Sequence, residues 1–109
     1  CALPIYWILI RLGAPGTLSV LELDTAHFKG NFPDRAAVRG IHAPGAKVTE
    51  LVKPDAPFET VLEPLALAAH DRRFVSGDAL LARGPFTHLR IDVYPDGGIS
   101  RFRAWGHRA

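Results

Sequence analysis

Within "FTHLRIDVY" at 86–94, the seven residues 88–94 alternate polar and apolar, a period of two that an extended strand turns into two distinct faces. Leu89, Ile91 and Val93 fall on one face, and His88, Arg90, Asp92 and Tyr94 on the other. "PDGG" at 95–98 has the residue types of a tight turn, and 99–105 reads as an antiparallel return strand of a hairpin. On that return strand Phe102 and Ala104 share one face, while Arg101, Arg103 and Trp105 share the other.

Shorter apolar runs separated by Gly and Pro fill the rest of the chain. "YWILIRL" at 6–12 is nearly continuous, as in a strand buried on both faces, and "GAPG" at 13–16 reads as a turn. A second strand is predicted over 17–24, with a change of phase at Val20–Leu21 that suggests a bulge. Weaker strands are predicted over 36–41, 47–53 and 58–62. Leu65, Ala68 and Ala69 share a helical face, so a turn or two of helix is expected within 64–74, ended by "SGD". No βαβ pattern, internal repeat or low-complexity stretch appears, and the expectation is a single all-β, antiparallel sandwich over 1–109.

Composition narrows the partners. With 13 basic and 11 acidic residues the net charge is only +2, and Lys and Arg are scattered among acids, so no nucleic-acid footprint is present. The longest apolar run, 5–10, is far below the roughly 18 residues of a membrane helix. One cysteine, Cys1, permits no internal disulfide and fits a reducing compartment, so a cytoplasmic location is expected. The sequence contains no Met and opens directly into strand-like residues, which leads to the expectation of a longer protein cut at its N-terminal side.

Two blocks, "WILIRLGAPGTLSVLELDTAHFKGNFPD" at 7–34 and "FTHLRIDVYPDGGISRFRAWG" at 86–106, resemble the allantoicase family, specifically the second of its two repeated domains. The middle of the chain is looser: Phe58 stands where the family usually has Trp, and Arg72 or Arg73 where it has a second His near His70. The resemblance implies a jelly-roll β-sandwich of the galactose-binding-like kind. It also implies a hydrolase that splits allantoate into ureidoglycolate and urea in purine catabolism, a second repeat in the parent chain, and a homo-oligomer. The alternative is a non-catalytic carbohydrate- or ligand-binding module, since fold alone does not decide function. Such a module should expose aromatic platforms at its loop tips, whereas Phe28 and Phe32 flank "HFKGNF" as anchors.

With that family in view, "LDTAHFKGNFPDR" at 23–35 is the first candidate site. As plain structure, Asp24 and Thr25 would satisfy backbone groups at a strand end, and Gly30 and Asn31 would form the bend. As a site, Asp24 and His27 would orient or deprotonate the attacking water, with Lys29 and Asn31 on the substrate. On 86–94, His88 is a second acid–base group or metal ligand, Arg90 a carboxylate clamp, and Tyr94 a substrate-binding residue near the strand end. As plain structure the same face is solvated, with Asp92 paired across the hairpin to Arg101 or Arg103. Asp24, His27 and His88 are suitable ligand types for a divalent metal, but no HxH or HExxH spacing accompanies them. The functional reading predicts one cavity within reach of Asp24 and His27 that also admits His88 or Arg90. His42, His70 and His107 read as surface histidines.

Overall fold

The computed structural model describes residues 6–25, 35–69, 71–94 and 99–109. Its elements are β1 (Tyr6–Asp24), β2 (Arg35–Ile41), the one-turn helix α1 (Val48–Leu51), β3 (Glu59–Ala66), β4 (Arg72–Ser76), β5 (Phe86–Tyr94) and β6 (Arg101–Arg108). All strand pairings are antiparallel, in the order β3-β2-β5-β1-β4, with β6 also on β1. β1 belongs to both halves of this sheet. Its residues 6–11 pair with β5, and its residues 20–24 pair with β4 and β6.

The sheet curls so that the two halves meet in one apolar core. Leu21, Leu23 and Val75 come from the β1–β4 half, and Val38, Leu62, Phe86 and Leu89 from the β3–β2–β5 half. Leu21, Leu23, Val38 and Leu89 are wholly removed from solvent. At about 1.5–3 kcal/mol for each large side chain, such burial is the main force closing the sandwich. Leu89, Ile91 and Val93 are all buried, as the alternation at 88–94 predicts.

Four local expectations are corrected. "GAPG" is not a turn: β1 runs through it, and the register with β5 is irregular between Arg11 and Gly16. Pro15 has no N–H for a ladder, and small residues here let one strand pass from one half of the sheet to the other. β6 does not form a hairpin with β5 but pairs with β1. Both edges of β5 are already taken, by β1 and by β2, so none is open to a returning strand. Residues 47–53 are not a strand: α1 forms there, with Glu50 Oε1 accepting from Lys47 N at 3.1 Å. Finally, 64–74 holds the end of β3 and the start of β4 in place of a helix. Pairing with β2 and β1 there overrides the helix propensity of Leu and Ala. The bulge in β1 lies between Leu18 and Val20, one step ahead of the phase change in the sequence.

Candidate functional site

The outward face of β5 is not a solvated surface. His88, Asp92 and Tyr94 are buried, and Asp92 has no exposed surface at all. A buried carboxylate needs charged partners, because desolvation penalises it heavily when alone. Asp92 has two. Arg90 donates from Nε to Oδ1 at 2.7 Å and from Nη2 to Oδ2 at 3.0 Å, a two-pronged contact. Arg39 on β2 donates from Nε to the same Oδ2 at 3.0 Å. The pairing with Arg101 or Arg103 across a hairpin is therefore replaced by one with β2, as the topology requires.

Register explains the convergence. Arg39 stands opposite Arg90, and Trp7 and Ala37 flank Asp92 on either side. The Arg90 guanidinium carbon lies 5.6 Å from the ring centres of both Trp7 and Phe58, so the planar cation is held between two aromatic rings. Arg39 also donates from Nη1 to Thr60 Oγ1 at 3.3 Å. Desolvation pulls the proton affinity of Arg39 down, but hydrogen bonds and charge from Asp92 and Tyr94 outweigh it and raise it overall. Arg39, Trp7 and Phe58 escape a reading of 86–94 alone. The one signal for Arg39 is a lone charge inside the apolar strand "AAVRGI".

His88 lies on the same face, two residues from Arg90, between Arg11 and Ile41 of the neighbouring strands. Its Nδ1 is 2.8 Å from Thr87 Oγ1, which also accepts from Ala43 N at 2.8 Å and lies 3.2 Å from Ile41 O. Burial first, and the positive charge of Arg11 second, lower its pKa from the ordinary 6.5. Near pH 7 His88 is thus a neutral imidazole, able to accept a proton.

Asp24 sits elsewhere. Leu21 and Leu23 point into the core, so Glu22 and Asp24, of opposite parity, face outward from the β4–β1–β6 half. His88, Arg90 and Asp92 face outward from the other half. Asp24 is buried at the strand end, 4.0 Å from Arg72 Nε, and its carbonyl oxygen accepts from Ser100 N and Oγ. Beside it Thr25 Oγ1 donates to Ala68 O at 2.6 Å and accepts from Asp71 N at 3.0 Å, the strand-end role expected of plain structure. Glu22 is fully buried, accepts from Arg72 Nε at 2.8 Å, and keeps Arg103 Nη1 at 3.6 Å.

His27, Lys29 and Asn31, with Phe28 and Phe32, lie outside the described residues, as do His70 and the turn at 95–98. His42 and His107 are exposed. The predicted common cavity includes His27 and so lies outside the described residues. A cleft of about 350 Å³ opens beside Ile8, Ile10, Ile91, Val93 and Phe102, and neither Asp24, His88 nor Arg90 lines it. No group of three His, Cys, Asp or Glu gathers as metal ligands among the described residues. None of their helices is long and apolar enough to cross a membrane.

Comparison with known proteins agrees with this architecture. The family model "allantoicase repeat" matches residues 4–109. A probable allantoicase of Burkholderia pseudomallei is 41% identical over 106 residues, covering 94% of this chain and 30% of that protein. One from Streptomyces avermitilis is 40% identical over 101 residues, covering 92% of this chain and 26% of that protein. The crystal structure of allantoicase from Saccharomyces cerevisiae superposes with a TM-score of 0.78 at 32% identity, over 92% of this chain and 31% of that one. An F5/8 type C domain from Bacteroides fragilis, with a TM-score of 0.63 and 14% identity over 94% of this chain and 66% of its own, shares the fold alone. The chain thus spans less than a third of the length of these curated relatives. An antiparallel jelly-roll sandwich of the galactose-binding-like kind, matched by that family model over nearly all of its length, the chain belongs to the allantoicase family.

Proposed function

We propose that the chain is part of an allantoicase, acting in allantoin catabolism in the cytoplasm, that hydrolyses allantoate to ureidoglycolate and urea. One C–N bond breaks, the hydroxyl of water ends on the carbon, and a proton goes to the departing urea nitrogen. The observation that carries this reading is Arg90, whose guanidinium is fixed by a buried carboxylate between two aromatic rings, in a chain of this family. Such a fork suits the carboxylate of allantoate. His88, neutral near pH 7, is the proton acceptor nearest to it in sequence on that face. Tyr94 closes the same strand, and Asp24, with His27, Lys29 and Asn31 after it, forms the second group.

Asp24 and Arg90 face away from each other on opposite halves of the sandwich, so one repeat does not enclose a substrate between them. A second repeat of the parent chain, or another copy in a homo-oligomer, would complete the site. The test is urea release from allantoate by the parent protein, with and without a chelator. Urea and ureidoglycolate in equal amounts are expected. Saturable allantoate binding without turnover would instead favour the non-catalytic ligand module.

A further inference from the structure

Arg39 and Arg90 stand side by side on neighbouring strands, where like charges directly opposite destabilise a sheet. One carboxylate, Asp92, lies between them, and its Oδ2 is shared by both guanidinia. Two cations against one anion leave the cluster with a net positive charge. Asp92 is wholly buried, while the arginine side chains keep 33% and 20% of their surface open. Hydrogen bonds to Asp92 use two of the five N–H donors of Arg90. Arg39 uses its donors on Asp92 and Thr60. Donors from both forks therefore remain without a protein acceptor among the described residues.

The cluster is also rigid before any ligand arrives. Asp92 fixes one edge of Arg90, through Nε and Nη2, and Trp7 and Phe58 lie against its guanidinium. A preformed fork loses little side-chain freedom on binding. Trp7 itself is 42% exposed, so apolar ring surface stays open next to the guanidinium. We propose that Arg39 and Arg90 form a two-armed anion site for a small organic acid whose carboxylate lies next to a planar ureido group, with Trp7 as the wall for that group. The assignment rests on reading Arg90 as the carboxylate clamp and adds Arg39 as its second arm.

Binding tests the site without turnover, so its failure is separable from failure of the hydrolase reading. The probe is hydantoate, which carries one carboxylate and one ureido group, titrated into the parent protein. The readouts are the Nε–H resonances of Arg39 and Arg90 and the indole N–H of Trp7. Saturable shifts at these three residues are expected with hydantoate, and none with its neutral amide, N-carbamoylglycinamide. Arg39→Lys, which keeps the charge and loses the fork, should weaken binding about tenfold. Absence of arginine shifts in the unmutated chain would overturn the proposal and leave an ion pair that only ties strands together. So would equal shifts with the neutral amide, or an Arg39→Lys chain that folds and binds hydantoate unchanged. Should Arg39→Lys fail to fold, the titrations of the unmutated chain decide alone.

Discussion

Asp92 is a carboxylate without solvent, and its two arginines are what make it tolerable there. Replacing it by Asn leaves two partly buried cations facing each other, a loss of about 3–5 kcal/mol by the rule for breaking a buried pair. We expect Asp92→Asn to lower the thermal unfolding midpoint by more than about 10 °C. A shift within a degree or two would show that the pair is no more than surface decoration. His88 gives a pH signature. Its folded pKa lies below 6.5, so the unfolded chain holds more protons wherever the pH lies between the two values. Its contribution to stability is full above about pH 6.5 and is lost as the pH falls through the folded value. Thermal midpoints measured from neutral pH down to about pH 5 should therefore decline less steeply in His88→Gln than in the unmutated chain. Equal slopes would remove His88 as the sensor.

Among the elements, β5 was legible because its two-residue period at 88–94 is local, and the strand begins two residues ahead of that alternation, at Phe86. Its neighbours were not. Edges are filled by strands far away in sequence, and "PDGG" carries no sign that β1 and β2 already occupy both sides of β5. The apolar and helix-forming residues of 64–74 likewise misled, since pairing outweighs weak propensity. Gly40 marks where β2 needs space: a Cβ there would meet ring atoms of buried Phe86 at 2.8 and 2.9 Å. Gly40→Ala should cost about 1–3 kcal/mol through overpacking. In urea denaturation the midpoint should fall with the slope kept, and Phe86→Leu added to Gly40→Ala should recover part of the loss. Simple additivity of the two losses would show that this contact is not the cause.

At the scale of the whole molecule, the fold and family were readable from two blocks of sequence, but the arrangement of the candidate site was not. Asp24 and Arg90 are joined by a motif resemblance, yet strand parity turns them outward on opposite halves of one sandwich. Arg39 went unnoticed because its importance comes from standing across from Arg90, a fact of register and not of local pattern. In the proposed allantoicase the Arg90 guanidinium holds the carboxylate of the substrate. The most direct test of this contact is kcat/KM for urea release from allantoate by the parent protein and by its Arg90→Lys variant. With the fold retained, kcat/KM should fall about ten- to a hundredfold, the loss expected when a charged two-pronged contact becomes a point contact. An Arg90→Lys protein that releases urea from allantoate at the unmutated rate would contradict it.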